Sequence, residues 1–126
     1  MRLLLDTHAL LWWLADDPAL SAQTVEVIAA EADVYVSAVS VWEIAIKRAL
    51  GKLDAPEGLA AAVVASGFQQ LPIRFRHAEV AGALPRHHND PFGRMLVAQA
   101  QCESLTLVTS DARITSYQVA VLPASW

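Results

Sequence analysis

The sequence predicts a parallel α/β fold, in which helices cover both faces of a central sheet. Short runs of aliphatic and β-branched residues alternate along the chain with segments of helical periodicity. Strands that alternate with helices in this way are joined by crossovers, which make neighbouring strands parallel. The chain has 126 residues, enough to bury a sizeable core, so we expect one domain over residues 1–126.

Five short segments have the composition of strands in such a sheet. They are Arg2–Leu5, Val34–Val36, Gln70–Ile73, Leu105–Thr109 and Val119–Leu122. Continuous apolar runs are typical of strands that are buried on both faces. The pattern does not predict the order of the strands in the sheet.

Helical periodicity fills the segments between these strands. The predicted helices run from the end of the first strand to Leu14, and then over Ser21–Ala32, Ser40–Leu50, Pro56–Ser66, Arg76–Leu84 and Phe92–Cys102. Ser21 is a suitable N-cap for the second of these helices. Gly51 follows the third helix at the position where a left-handed residue commonly ends a helix.

Four carboxylates lie where strands end or helices begin. Asp6 and Asp111 directly follow apolar strand segments, whereas Glu43 and Asp90 lie near the starts of helical segments. The carboxyl ends of parallel strands share one edge of the sheet, and such folds bind ligands at that edge. Acids that meet there repel one another, and a divalent cation, Mg²⁺ or Mn²⁺, relieves the repulsion. The sequence therefore predicts an acidic metal site.

Each of the four acids also has a purely structural interpretation. Asp6, Asp90 and Asp111 each precede a helix or a turn that they could cap. Ser40 and Glu43 have the spacing of a capping box, in which the glutamate reaches back to the start of the helix. Caps need not be acidic, because Ser, Thr and Asn serve as well. Both interpretations hold together if the capped helices begin at the sheet edge.

Basic residues surround the predicted acidic site, although the formal net charge of the chain is −4. That net charge argues against nucleic-acid binding through bulk electrostatics. A locally basic rim could still contact phosphate, and its candidates are Lys47, His87, His88 and Arg94. For each candidate, ordinary solvated surface is an equally open interpretation. Adjacent histidines on a turn seldom bind the same metal ion, so metal binding by the histidine pair is disfavoured.

Other classes of function find little support in the sequence. Motifs for nucleotide-cofactor loops and for a nucleophilic serine are absent. A receiver-like phosphoacceptor is disfavoured because Asp6 stands alone after the first strand and no lysine follows Lys52.

No apolar run is long enough to span a bilayer, and Cys102 is the single cysteine, so we expect a cytoplasmic protein. The hydrophobic content of 55% indicates that a partner or a second copy covers some surface.

Taken together, the motifs resemble those of PIN-domain proteins, specifically the VapC-type toxins of bacterial toxin–antitoxin pairs. The segments that carry the resemblance are LLLDTHALLWWL, VYVSAVSVWEIAIKRALGKL, GFQQLPI, HHNDPF-RML-AQA and LTLVTSD. The resemblance implies a five-stranded parallel sheet, Mg²⁺- or Mn²⁺-dependent endoribonuclease activity and a homodimer. It also implies inhibition by a small, VapB-like DNA-binding antitoxin that fills the cleft. Asp6, Glu43 and Asp111 match acids of the family directly. With Asp90 as the candidate for the remaining acid, the catalytic set would be Asp6, Glu43, Asp90 and Asp111, with the three aspartates binding metal.

One position departs from the family pattern. VapC-type proteins usually read DPFDRMLIAQA, and Gly93 stands where that pattern has its second aspartate. Asp90 is retained, but it lies one helical turn earlier and suits a capping role. We therefore hypothesise that Gly93 attenuates cleavage of RNA, which restoring Gly93→Asp would test. The alternative is a disabled PIN-fold module that binds antitoxin or RNA without cleaving it.

Overall fold

The structure, a computed structural model, describes residues 1–125 and contains a five-stranded parallel sheet. The strands are β1 (Leu3–Leu5), β2 (Val34–Ser37), β3 (Gln69–Leu71), β4 (Thr106–Thr109) and β5 (Val121–Pro123). Their order in the sheet is β3-β2-β1-β4-β5, and every neighbouring pair is parallel. The predicted fold class is confirmed, and the structure supplies the strand order.

Six α-helices surround the sheet, and a short 3-10 helix, Ala112–Ser116, follows β4. The helices are α1 (Thr7–Leu14), α2 (Ala22–Ala30), α3 (Ala38–Ala49), α4 (Leu59–Ala65), α5 (Phe75–Ala83) and α6 (Pro91–Glu103). Ser21 caps α2 as predicted, because its side chain accepts a hydrogen bond from Thr24 N–H. None of the helices within residues 1–125 is long and apolar enough to cross a bilayer.

Two predicted helix starts were wrong. The fourth helix does not begin at Pro56, because Gly58 adopts a left-handed conformation with φ of 69° directly before α4. The third helix does not begin at Ser40, because Ser37 Oγ accepts a hydrogen bond from Val39 N–H at 3.0 Å and starts α3 earlier. Ser40 therefore lies inside the helix, and the predicted capping box with Glu43 does not form.

The core has two parts, one on each face of the sheet. Leu3 and Leu5 point to the face that is covered by α1 and α2, where they join Leu10 and Ile28. Leu4 points to the opposite face, because successive side chains of a strand alternate. On that second face the buried residues of α6 and β4 are Leu96, Val97, Ala100 and Leu107. Helices on both faces bury the central strand β1 completely.

The direction of the chain across the sheet reverses between β1 and β4. From β1 the chain proceeds outward to β2 and then β3, and it returns to place β4 on the other side of β1. In open α/β sheets the crevice at such a switch point is the usual ligand-binding place. Asp6 follows β1 and donates its backbone N–H to Val108 O on β4 at 3.0 Å. The first predicted acid therefore lies at the switch point.

Candidate active site

A cleft of about 350 Å³ lies at the carboxyl ends of β1 and β4. Its lining residues are Asp6, Thr7, His8, Glu43, Lys47, His88, Asp90, Gly93, Leu96, Ser110, Asp111, Arg113 and Ile114. All four predicted acids line this one cleft, although they come from four separate segments of the chain. The topology of the sheet brings them together, as expected for acids at the carboxyl edge.

Asp6 is a buried acid at the centre of the cleft, with an exposed fraction of 7%. It also caps α1, because Oδ1 accepts a hydrogen bond from Ala9 N–H at 2.8 Å. Burial raises the pKa of Asp6, and the hydrogen bonds from Thr109 and Ala9 only partly oppose that effect. Within residues 1–125, Asp6 forms no salt bridge. Its negative charge is therefore poorly compensated.

Glu43 faces Asp6 from α3 and is held by two partners. Its Oε1 accepts a hydrogen bond from Thr7 Oγ1 at 2.6 Å, and Lys47 Nζ pairs with its Oε2 at 2.5 Å. The lysine lies one helical turn after the glutamate, a spacing that favours pairing on the same helix face. Because Thr7 directly follows Asp6, the hydroxyl contact ties α3 to the end of β1.

Asp111 follows β4 and has four hydrogen-bond donors around its carboxylate. Oδ1 accepts from the backbone N–H of Arg113 at 2.9 Å and from its Nε at 3.2 Å. Oδ2 accepts from Arg113 Nη2 at 3.1 Å and pairs with His88 Nε2 at 2.9 Å. Burial alone would raise the pKa of Asp111, but the hydrogen bonds from Arg113 and His88 outweigh it and lower the pKa to about 2. Asp111 is therefore ionised.

Asp90 caps α6, with Pro91 in the first helical position, as the sequence indicates. Its Oδ1 accepts a hydrogen bond from Phe92 N–H at 3.0 Å. Gly93 follows in the first turn of the helix and is buried. A Cβ atom at Gly93 would lie 3.1 Å from His88 Nε2. The imidazole therefore occupies the space next to the position where the family pattern has its second aspartate.

His88 is only 3% exposed and is fixed from several sides. Its Nδ1 accepts a hydrogen bond from Asp90 N–H at 3.0 Å, so in the neutral ring the proton is on Nε2. Nε2 then donates to Asp111 Oδ2. The backbone N–H of His88 donates to the hydroxyl of Tyr117 at 3.0 Å, and that hydroxyl donates to Pro85 O at 2.9 Å. The turn before α6 is therefore anchored against the cleft.

Arg94, predicted to contact phosphate, has a different environment. Its guanidinium donates to the four backbone carbonyls of Ala81, Leu84, Pro85 and His88, at distances of 2.9 to 3.4 Å. These contacts join the end of α5 and the following turn to α6. The donors of Arg94 are thus engaged by backbone, which favours a structural role over phosphate contact.

The remaining basic candidates are divided between the cleft and the surface. Lys47 lines the cleft, whereas His87 is exposed and stacks edge-on against Tyr117 with ring centroids 5.0 Å apart. Arg113, which the sequence analysis did not identify, lines the cleft with a side chain that is 64% exposed. Its place two residues after Asp111 was the signal that could have identified it.

The residues of the cleft have the donor chemistry of a hard divalent cation. Carboxylate oxygens are the ligands that Mg²⁺ and Mn²⁺ prefer. In residues 1–125 no three His, Cys, Asp or Glu side chains are already arranged to hold a metal ion. Lys47 and Arg113 pair with the individual acids instead, and their side chains are 40% and 64% exposed. The exposed side chains of Lys47 and Arg113 can turn away from Glu43 and Asp111 into solvent, and Asp6 has no cationic partner among the described residues. The carboxylates of the cleft therefore suit a divalent ion.

The family model of the PIN domain matches residues 3–120 of the chain. The chain belongs to the PIN domain family. No curated protein sequence matches it. Within this family assignment, the cleft at the switch point is the candidate active site of a PIN domain.

Several solved structures have a similar fold, and one of them is described as a toxin–antitoxin complex. VapBC2 from Rickettsia felis, solved with a promoter DNA fragment, has a TM-score of 0.72 and 14% identity over 97% of this chain and 98% of that chain. A toxin–antitoxin complex from Klebsiella pneumoniae has a TM-score of 0.71 and 18% identity, over 98% of both chains. FitAcB from Neisseria gonorrhoeae has a TM-score of 0.69 and 21% identity, also over 98% of both chains. At these identities the likeness is one of fold.

Proposed function

We propose that this PIN domain, spanning residues 1–126, is a divalent-metal-dependent endoribonuclease and the VapC-type toxin of a type II toxin–antitoxin system. It would act in the cytoplasm and cleave RNA to inhibit translation and growth. The observation that carries this proposal is the cleft at the switch point, where four carboxylates from separate segments meet. The central one, Asp6, is buried without a salt bridge among the described residues, and a divalent cation would compensate its charge.

In this proposal Asp6, Asp90 and Asp111 would hold the cation, and Glu43 would orient the attacking water. When bound, Mg²⁺ or Mn²⁺ lowers the pKa of water and stabilises negative charge on the phosphate. Thr7 keeps Glu43 next to Asp6 through the hydrogen bond from its hydroxyl. We further propose that Gly93 attenuates the reaction, because the first turn of α6 carries no carboxylate at that position.

The same cleft also contains the groups that would contact RNA. Lys47 and Arg113 lie on different walls, one on α3 and the other after β4. Because both are partly exposed, each could exchange its carboxylate partner for a phosphate when the cation binds. His87, which is exposed, remains a candidate at the turn before α6, whereas both ring nitrogens of the buried His88 already have partners. Arg94 is the weakest candidate, since backbone carbonyls already engage its guanidinium.

We propose two protein partners, a second copy of this chain and a VapB-like antitoxin. Large apolar side chains are exposed, among them Trp42 at 59% and Phe75 at 90%. Burial of such side chains in an interface would be favourable. The fold is shared with a protein that was solved in a toxin–antitoxin complex from Klebsiella pneumoniae.

Cleavage of RNA by the purified chain tests the proposed function. We expect degradation of total RNA with Mn²⁺ or Mg²⁺ and none with EDTA. Asp6→Asn should reduce cleavage by at least about 100-fold, because it removes a charged ligand from the centre of the site. Glu79→Gln, on the exposed surface of α5, is the matched control and should cleave like the parent chain. Cleavage that persists in EDTA, or in Asp6→Asn, would refute the proposal.

A second candidate function is a PIN-fold binding module that engages RNA or antitoxin without cleavage. Two observations favour it: the missing carboxylate at Gly93, and the pairing of Asp111 with Arg113 and of Glu43 with Lys47. A nuclease and a binding module differ in what Mn²⁺ does to bound RNA. Retention of intact RNA in Mn²⁺ would identify the module, whereas shortened RNA would identify the nuclease.

A further inference from the structure

The turn before α6 places a buried histidine against one acid of the cleft, and the space for its ring depends on a glycine. His88 Nε2, Cδ2 and Cε1 lie 3.1, 3.3 and 3.6 Å from the Cβ position of Gly93. The first two distances are tighter than ordinary carbon contacts, so any side chain at this position would push the ring. Gly93 therefore gives the imidazole its room in the cleft.

The ring of His88 has a fixed orientation and a fixed proton. Backbone N–H of Asp90 donates to Nδ1 at 3.0 Å, which leaves Nε2 as the nitrogen that donates to Asp111 Oδ2. In this state Nε2 has no lone pair for a metal ion, so His88 acts on the site through Asp111. The backbone of the same residue is held by the hydroxyl of Tyr117.

The two partners of Asp111 differ in how firmly they are placed. Arg113 has a side chain that is 64% exposed, whereas the side chain of His88 is 1% exposed. A cation that approaches Asp111 would repel the exposed guanidinium, but it would leave the neutral imidazole in place. His88 is therefore the donor that still fixes the carboxylate when Arg113 has moved away. Hydrogen-bond partners of this kind set the orientation of metal-ligating carboxylates.

We propose that His88 is the positioning residue for Asp111 in the metal site, and that Gly93 is the residue that permits this placement. The inference rests on the proposed function, because it assumes that the cleft binds a divalent cation. It adds to that function a neutral imidazole that orients the carboxylate of Asp111 towards the cation. Loss of such partners typically weakens metal affinity by about 10- to 100-fold.

Titration of the full chain with Mn²⁺, followed by the electron paramagnetic resonance signal of the free ion, tests this inference without requiring cleavage. His88→Ala should weaken Mn²⁺ binding by at least about 10-fold. His88→Gln should restore most of the affinity, since a glutamine amide nitrogen can occupy nearly the place of Nε2. Circular dichroism checks that each variant is folded. Equal affinity of His88→Ala and the parent chain would overturn the proposal, as would a glutamine variant that is no better than the alanine variant.

Tyr117→Phe is the matched control for loosening of the turn. It removes the hydroxyl that bonds His88 N–H and Pro85 O, but it leaves the imidazole and Asp111 unchanged. We expect its Mn²⁺ affinity to stay within about 3-fold of the parent chain. A loss as large as that of His88→Ala would assign the effect to the turn and would overturn the role of the ring.

The proposed function and this inference fail in different ways. If the parent chain and Gly93→Asp both bind no Mn²⁺, the cleft is no metal site, and both proposals are refuted. If the parent chain binds Mn²⁺ and His88→Ala binds it equally well, only the positioning role is refuted. A graded loss from His88→Gln to His88→Ala supports both.

Discussion

At the scale of single residues, the cleft depends on which side chain occupies the first turn of α6. Gly93 is buried there, and the ring of His88 lies against it. A carboxylate at position 93 would gain from the helix dipole by about 0.3–1 kcal/mol. Aspartate also has a slightly better helix propensity than glycine, a gain of about 0.3 kcal/mol. Against these gains stands the contact with His88, whose ring must shift by a few tenths of an ångström.

We predict that Gly93→Asp raises Mn²⁺ affinity and the rate of RNA cleavage by at least about 10-fold, because it adds a charged oxygen ligand to the cleft. Calorimetric titration with Mn²⁺ and a cleavage assay on the same preparation measure the two effects. Gly93→Ala is the matched control: it adds the same Cβ contact with His88 but no ligand, so the shifted ring should make it bind Mn²⁺ more weakly than the parent chain, and its difference from Gly93→Asp measures the added ligand. Equal affinity and activity in all three chains would show that position 93 does not contribute a ligand.

The sequence allowed prediction of the acids but not of the contacts between them. Asp6, Glu43, Asp90 and Asp111 were identified because the ends of strands and the starts of helices can be recognised locally. The bond from His88 to Asp111 joins residues 23 positions apart and depends on a backbone N–H within a turn. Such a contact leaves no periodic signal, and neither the burial nor the tautomer of His88 could be predicted.

At the scale of helices and strands, the types of the elements could be predicted, whereas some of their starts could not. Ser37 and Ser40 both have the chemistry of an N-cap, and the sequence alone does not distinguish them. Ser37 caps α3 because it also ends β2, so the chain passes from strand to helix without a connecting loop. Ser40 then lies beside Thr7, and its hydroxyl can donate to Thr7 Oγ1 at 3.2 Å, because the proton of Thr7 already goes to Glu43. Tertiary packing decided the start of the helix.

The carboxyl end of α5 is held by a side chain of α6, in addition to the contact between His77 and Glu103 of the same two helices. The last carbonyls of a helix lack partners within the helix itself. Arg94 on α6 donates to Ala81 O and Leu84 O, both at 2.9 Å, and so satisfies the end of α5. A planar guanidinium can reach several carbonyls at once, and a lysine ammonium cannot match that geometry.

We predict that Arg94→Lys lowers the free energy of unfolding by about 2 kcal/mol, because several charge-assisted hydrogen bonds are lost together. Urea denaturation followed by circular dichroism measures the change. Arg86→Lys, exposed in the neighbouring turn, is the matched control and should change stability by less than about 0.5 kcal/mol. A loss of RNA binding in Arg94→Lys without loss of stability would contradict the structural role and would restore Arg94 as a phosphate contact.

At the scale of the whole molecule, the sheet topology places the two aspartates of the switch point in opposite electrostatic environments. The switch point between β1 and β4 brings Asp6 into the buried centre of the cleft, where its charged form is poorly solvated. Asp111 lies at the same edge but is stabilised by Arg113 and His88. The fold therefore contains two neighbouring aspartates whose pKa values are shifted in opposite directions. Their contributions to stability should have opposite signs.

The raised pKa of Asp6 means that its contribution to stability is complete below the ordinary value of 3.8 and is lost as pH rises through the folded-state pKa. Without metal at pH 7, Asp6→Asn should therefore raise the melting temperature by a few degrees, which corresponds to a gain in stability on the order of 1 kcal/mol.

The lowered pKa of Asp111 stabilises the fold above pH 3.8, and this stabilisation is lost as pH falls through about 2. Asp111→Asn should therefore lower the melting temperature at pH 7. Asparagine also caps helices, so neither variant loses its cap. Calorimetric scans between pH 3 and 7 measure both effects, and shifts in the same direction at pH 7 would contradict this assignment of charge.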